Sequence, residues 1–194
     1  MTGLARSVDA VVIGTSAGGV EALMVLLPAL PATLRAAVLV VIHLPRERPS
    51  LLVDIFAPRC AVPVREAQDK EPVQPGCVYF APPDYHLLVD EGVDGRPSLA
   101  LSADPLVNFS RPSIDVLFES AADVYGPRLL GIVLTGGNQD GAAGLAAVAH
   151  LGGATAVQRP DTAAVSWMPE SALKVVTPDH LLPLDGLAAL LRGL

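Results

Sequence analysis

Alternating strand and helix patterns predict an α/β fold, a doubly wound, mostly parallel sheet with helices on both faces and a flanking antiparallel hairpin. Two observations carry this. Short continuous runs of β-branched and aliphatic residues recur along the chain with helical segments between them, the order that a parallel sheet requires. The composition agrees: 51% hydrophobic, 17% charged and 4% aromatic residues suit a sheet wrapped by small-residue helices and exclude disorder. The 194 residues can bury a substantial core and are read as one domain over residues 1–194.

Val8 to Ile13 is a β-branched run that ends in a glycine-rich turn, and Val20 to Leu27 carries apolar residues at helical spacing. Val38 to Ile42 is the next buried strand, which completes a βαβ unit with a right-handed crossover. Val62 to Glu66 and Cys77 to Ala81 extend the sheet, the second after the turn Gln74-Pro75-Gly76. His86 to Val89 and Ser98 to Leu101 alternate around a polar tip, Asp90 to Gly95, and read as a hairpin. Ser113 to Tyr125 is an amphipathic helix with Ser113 as cap. A strand over Leu129 to Leu134, an Ala/Gly-rich helix over Asp140 to Leu151, a strand over Ala154 to Gln158 and a helix over Leu184 to Leu191 complete the pattern.

The charge narrows the function. A formal net charge of −7 with only 13 Lys and Arg, in no run, excludes a nucleic-acid partner, which needs a basic face to displace counterions. Cys60 and Cys77 have no metal-ligand spacing, and no signal peptide precedes them, so a reduced cytoplasmic setting fits. Cys77 lies in an apolar strand, where a buried small hydrophobe is the simpler reading than a nucleophile. The mean hydropathy of +0.47 does not reflect a membrane span, since Pro28, Pro31 and Arg35 break the longest apolar stretch.

In a doubly wound sheet, ligands bind at the carboxyl ends of the strands. After the first strand stands Gly14-Thr15-Ser16-Ala17-Gly18-Gly19, which matches G-x-S-x-G and presents a serine hydroxyl at a helix N-terminus. The same glycines also fit a plain packing turn. A dinucleotide loop fits poorly, because Ser16 occupies the place of the middle glycine and His43 stands where a ribose-binding carboxylate is expected. His43 ends the neighbouring strand, where it can act as the base that a serine nucleophile needs. After Leu134 comes Thr135-Gly136-Gly137-Asn138-Gln139-Asp140-Gly141; Asp140 is either the N-cap of the next helix or the carboxylate that orients His43. Taken together, Ser16, His43 and Asp140 are nucleophile, base and orienting acid in an order unlike that of the α/β-hydrolases.

These residues sit within segments that resemble the catalytic domain of the chemotaxis protein-glutamate methylesterase (CheB) family. The segments are Ile13 to Gly19, Ile42-His43-Leu44-Pro45, Gly76 to Pro82, Ser110 to Phe118, Leu134-Thr135-Gly136, Asp140 to Gly144 and Met168 to Ala172. The resemblance implies that Ser16, His43 and Asp140 are the triad. It also implies hydrolysis of glutamate γ-methyl esters on the cytoplasmic helices of methyl-accepting chemoreceptors, often with deamidation of glutamines, and no cofactor or metal. Two segments depart from the family pattern. Ala17 replaces a Thr, and Gly137-Asn138 replaces Met-Gly, both next to the expected oxyanion donors, the backbone N–H groups of Ala17 and Gly137.

Arg111 lies in the family-like Arg-Pro-Ser segment and is expected either to reach an acidic receptor surface or to form a structural ion pair. Met168 is expected to line the cleft near the triad, and Trp167 to fill the core. The phosphoacceptor receiver domain that usually precedes this domain has no counterpart in these residues, so activity is expected to be constitutive or partner-controlled. A serine esterase with another substrate and a catalytically weakened receptor-binding module are the rival readings.

Overall fold

The computed structural model describes residues 7–44, 49–93 and 95–194; Pro45 of the second motif and Asp94 of the hairpin tip lie outside them. In chain order the elements are β1 (Ala10–Thr15), α1 (Gly19–Leu26), β2 (Ala37–Ile42), α2 (Leu52–Phe56), β3 (Val64–Glu66), β4 (Val78–Phe80), β5 (His86–Glu91), β6 (Pro97–Ser102), α3 (Ile114–Tyr125), β7 (Leu129–Val133), α4 (Ala142–His150), β8 (Ala154–Gln158), α5 (Trp167–Val175), β9 (His180–Leu182) and α6 (Leu184–Arg192). Seven strands form one sheet in the order β3-β4-β2-β1-β7-β8-β9. Each of its pairings is parallel. The β5–β6 hairpin stands apart as a two-stranded antiparallel sheet.

The fully apolar strands are explained by burial on both faces. Along β1, Val11 and Ile13 enter one core with Leu23 and Leu26 of α1, Phe56 of α2 and Leu187 and Leu191 of α6. Ala10 and Val12 point the other way, towards α3, α4, α5 and the hairpin. A period of two on a strand covered by two helix layers favours apolar residues at successive positions, and the polar residues that do occur, Thr15 in β1 and Thr155 and Gln158 in β8, are hydrogen-bonded.

Three short elements escape the sequence patterns. α2 has five residues, too few to show a helical period, and β9 has three. His180 thus lies on an edge strand. α5 carries Pro169, which reads as a breaker but sits in the first turn, where its missing N–H has no intrahelical partner to lose. Trp167, expected in the core, opens that helix and is 60% exposed.

β1 is the strand where the sheet changes direction, because the chain passes from β1 to β2 on one side and returns at β7 on the other. The crevice at its carboxyl end is the switch point at which such folds bind ligands. Behind it, α3 and α4 approach closely at Gly144, where an added Cβ would stand 2.6 Å from Phe118 Cβ and 3.0 Å from Asp115 Cα. Backbone cannot move aside as a flexible side chain can. Gly144→Val is therefore expected to lower stability by at least about 2 kcal/mol through overpacking, read from the midpoint of denaturant unfolding. An unchanged midpoint would show that the two helices can separate freely.

Candidate active site

Register brings the first two residues together. Thr15 pairs with Ile42 and the His43 N–H donates to the Thr15 carbonyl at 3.2 Å. Ser16 and His43 thus follow on adjacent strands, their backbones roughly one strand spacing, about 4.8 Å, apart. On the other side the Ser16 N–H donates to the Thr135 carbonyl at 3.0 Å. Thr135 ties three segments at this point. Its carbonyl also accepts from Thr15 Oγ1, while its own hydroxyl donates to the Ala17 carbonyl at 2.8 Å and accepts from the Val165 N–H at 2.9 Å.

The turn itself depends on Gly18, which has φ of +78° and caps α1. A side chain here would be strained by that φ, and its Cβ would stand 2.7 Å from the Ala164 Cβ. The Gly19 N–H returns to the Ser16 carbonyl at 2.8 Å. Among the described residues, the N–H groups of Ala17 and Gly137 have no hydrogen-bond acceptor, while that of Gly136 is occupied by the Val165 carbonyl. Ala17 and Gly137 thus retain donors for a developing oxyanion. Ala17 in place of Thr and Gly137 in place of Met leave both donors in place.

His43 Nε2 lies 2.9 Å from Asp140 Oδ2. An ionised carboxylate only accepts, so Nε2 carries the proton and Nδ1 offers its lone pair. Ser16 Oγ makes no hydrogen bond among the described residues, and the hydroxyl next to Nδ1 is that of Ser110, at 3.5 Å. Catalytic hydrogen bonds are often long or unmade before substrate arrives.

Asp140 has no exposed surface and does not cap the helix that follows it. Gly141 is the N-cap of α4. Instead Asp140 caps α3: Oδ2 accepts the Ile114 N–H at 2.6 Å, and Oδ1 accepts the Asp115 N–H at 3.1 Å and the Ser113 hydroxyl at 2.8 Å. Asn108 Nδ2 adds a bond to Oδ1 at 3.0 Å. Ser113 is at the cap position, as expected, but its hydroxyl serves Asp140 and makes no capping bond of its own. Burial works to raise the Asp140 pKa, yet the bonds from His43, Ile114, Asn108 and Ser113 outweigh it and hold the carboxyl below its ordinary 3.8.

Sequence reasoning missed three contributors. Asp115 reciprocates the cap, accepting the Gly141 and Gly144 N–H groups of the α4 start at 2.8 and 2.7 Å. Asn108 donates to both carboxylates, reaching Asp115 Oδ2 at 2.8 Å. His86, in β5, is buried; its Nδ1 accepts the Ser113 N–H at 3.1 Å and its Nε2 pairs with the Pro105 carbonyl at 3.0 Å. The signal for Asp115 was present: a carboxylate on the buried side of an amphipathic helix, next to Ile114.

The remaining candidates fall at the margin. Arg111 forms a structural ion pair with Asp84 at 2.8 Å and also donates to the Ala103 and Asp104 carbonyls. Met168 is fully buried under Gly136, where an added Cβ would stand 2.5 Å from Met168 Cε and 3.0 Å from the Ser16 Cβ; it forms the floor beneath Ser16. Trp167 and Phe109, 60% and 95% exposed, flank a cavity of about 290 Å³ bounded by Gly137, Asn138 and Gln139. No cluster of metal-ligating side chains occurs among the described residues, and no helix there is long and apolar enough to cross a membrane.

Comparison with known proteins agrees with the fold. The CheB methylesterase family model matches residues 11–191. A Leptospira interrogans protein named for protein-glutamate methylesterase and protein-glutamine glutaminase activity is 41% identical over 182 residues, which cover 94% of this chain and 92% of that one. A Caulobacter vibrioides protein of the same name is 39% identical over 93% of this chain, which spans about half of the relative's length, 52%. The crystal structure of the Thermotoga maritima CheB methylesterase catalytic domain superposes with a TM-score of 0.91 at 32% identity, covering 96% of this chain and 98% of that domain. With the fold, the crevice and the sequence in agreement, the chain belongs to the CheB methylesterase family of hydrolases.

Proposed function

We propose that this chain is a serine hydrolase that removes methyl groups from glutamate γ-methyl esters on chemoreceptor cytoplasmic helices, using Ser16, His43 and Asp140. Activity on receptor glutamines follows the same chemistry with ammonia as the leaving group. The observation that carries the reading is the buried Asp140–His43 pair at the switch-point crevice, one strand away from a serine in a glycine turn.

Because Nε2 is committed to Asp140, the base is Nδ1. It takes the Ser16 proton as Oγ bonds to the ester carbonyl carbon, and the tetrahedral oxyanion is held by the Ala17 and Gly137 N–H groups. Collapse breaks the bond to methoxide, which leaves as methanol with the proton from Nδ1. Water then adds to the glutamyl-serine ester as Nδ1 takes one of its protons, and collapse returns that proton to Ser16 Oγ and frees the glutamic acid, which loses its remaining acidic proton to solvent as the carboxylate. The imidazolium formed in each step lies against a carboxylate that stays ionised.

Ser16→Ala is expected to abolish methanol release from methylated receptor and the acyl-enzyme burst with an activated small ester, with an unaltered circular dichroism spectrum. A burst without receptor demethylation would favour an esterase with another substrate, and no burst in the wild-type chain would favour a receptor-binding module. Asp140→Asn reverses the donor that faces Nε2 and is expected to lower kcat on the order of 10³–10⁴-fold. Asp140 also makes a stability prediction. Its folded pKa lies below the unfolded value, so the unfolded chain binds the proton more readily, and the stability it contributes is present above about pH 4 and lost as pH falls further. Unfolding midpoints measured between pH 7 and pH 3 should fall more steeply for the wild type than for Asp140→Ala.

A further inference from the structure

We propose that Asn108 and Asp115 are positioning residues for the reaction: one amide bridging two buried carboxylates fixes Asp140, and through it the orientation of the His43 ring. The proposal rests on the triad reading above and adds to it two residues that do not touch substrate.

The geometry begins with Asp115. Both of its oxygens are engaged, Oδ1 by the Gly141 and Gly144 N–H groups and Oδ2 by Asn108 Nδ2. Asp115 is thereby fixed to the start of α4, the segment that carries Asp140, while Asp140 is fixed to the start of α3, the segment that carries Asp115. Neither helix can shift along the other without breaking a charge-assisted bond at each end. This interlock places the Asp140 carboxylate relative to the sheet, since α3 also packs against β1 and β7.

Two carboxylates this near to each other repel, and a buried pair tends to share one proton. Asn108 removes the need. An amide nitrogen has two hydrogens and no lone pair to offer, and here one hydrogen goes to each acid, at 2.8 and 3.0 Å. The loop is shaped to deliver it. Val107 and Ser110 exchange backbone hydrogen bonds, and between them Asn108 and Phe109 take φ of +48° and +62°, a region that non-glycine residues enter at a cost. Gln139 Nε2, 3.4 Å from Asn108 Oδ1, steadies the other end of the amide.

The remaining titratable groups around the pair are few: His43 from the end of β2, His86 behind Ser113, Glu119 one turn along α3, and Lys174 from α5 across a cavity of about 460 Å³ that Asp115 also lines. Burial pushes the Asp115 carboxyl up to about 6, and repulsion from Asp140 adds to it against the donors at Gly144, Gly141 and Asn108. The cluster therefore stays ionised at neutral pH through its donors and has little margin below it.

The test compares Asn108→Ala and Asp115→Asn with the wild type in kcat, KM and the pH dependence of kcat/KM for ester hydrolysis. Losing the bridging donor raises the proton affinity of the cluster, so in Asn108→Ala the acid limb should move up by roughly 1–2 pH units, the equivalent of one hydrogen bond to a charged group. In Asp115→Asn an oxygen still caps α4, but a negative charge beside Asp140 is gone and two amides face each other. Its acid limb should move down. Both variants should lose about 10–100-fold in kcat, with KM within about twofold, because a misplaced base affects the reacting geometry and not the binding. A purely structural role moves stability and leaves both limbs in place. Wild-type kcat and pH profile in a folded Asn108→Ala, or limbs that shift in the same direction in both variants, would overturn the proposal. Should Asn108→Ala not fold, Asn108→Ser, which keeps a hydroxyl but cannot reach both acids, is measured instead. If Ser16→Ala retains activity the triad reading fails; if it is inactive while Asn108→Ala behaves as wild type, only this proposal fails.

Discussion

A carboxylate with no access to water sits at the N-terminus of α3 and accepts five hydrogen bonds, and the arrangement of the crevice depends on it. An ionised side chain there would be prohibitively costly without compensation. Two sources supply it: the unpaired N–H groups and positive end of the helix, and the donors of His43, Ser113 and Asn108. Asp115 does the same for α4. The two helices that cover this part of the sheet are thus joined at their starts by each other's acids, where apolar side chains alone would leave their relative height free. His86 holds Ser113 from behind, and Gly144 lets the helices meet closely enough for the bonds to form.

The sheet supplies the other half of the positioning. Parallel register alone places Ser16 beside His43, and Thr135 then joins the β1 and β7 turns through its carbonyl and its hydroxyl. Ser16 and His43 stand at the ends of strands whose separation the ladder fixes, while Asp140 stands against the start of α3. Each side chain is held by backbone hydrogen bonds of a regular element, which tolerates changes in neighbouring side chains. This explains how Ala17 and Gly137-Asn138 can replace the residues usual in the family while the Ala17 and Gly137 N–H groups remain free among the described residues.

The strands and long helices were legible because their periods are a direct image of burial: β1, β2, β7 and β8 are covered on both faces, and β2 and β7 read as unbroken apolar runs. α2 and β9 were not, since five and three residues are shorter than the signal. The three triad candidates could be found because each ends a legible strand or follows one in a glycine-rich turn. Asn108 and Asp115 carry no such mark. An Asn in a Pro- and Asp-containing loop and an Asp in a first helical turn both have ordinary local explanations, and only the tertiary contact between α3 and α4 makes them part of the site. Trp167 was misplaced for a related reason, as aromatic character says nothing about which side of a short helix faces out.

Under the proposed mechanism, the five donors on Asp140 also bear on how the proton would be divided between acid and imidazole. Each draws charge from the carboxylate and lowers its basicity, so it remains an acceptor when an imidazolium forms 2.9 Å away. A carboxylate with fewer donors would compete for the proton and leave His43 neutral but in the wrong tautomer, with Nδ1 protonated and unable to act as a base. The hydrogen bonds that cap α3 therefore also keep the histidine's free lone pair on the nitrogen that is not bound to Asp140. Under the proposed mechanism, the capping of α3 and the choice of the basic nitrogen rest on the same carboxylate.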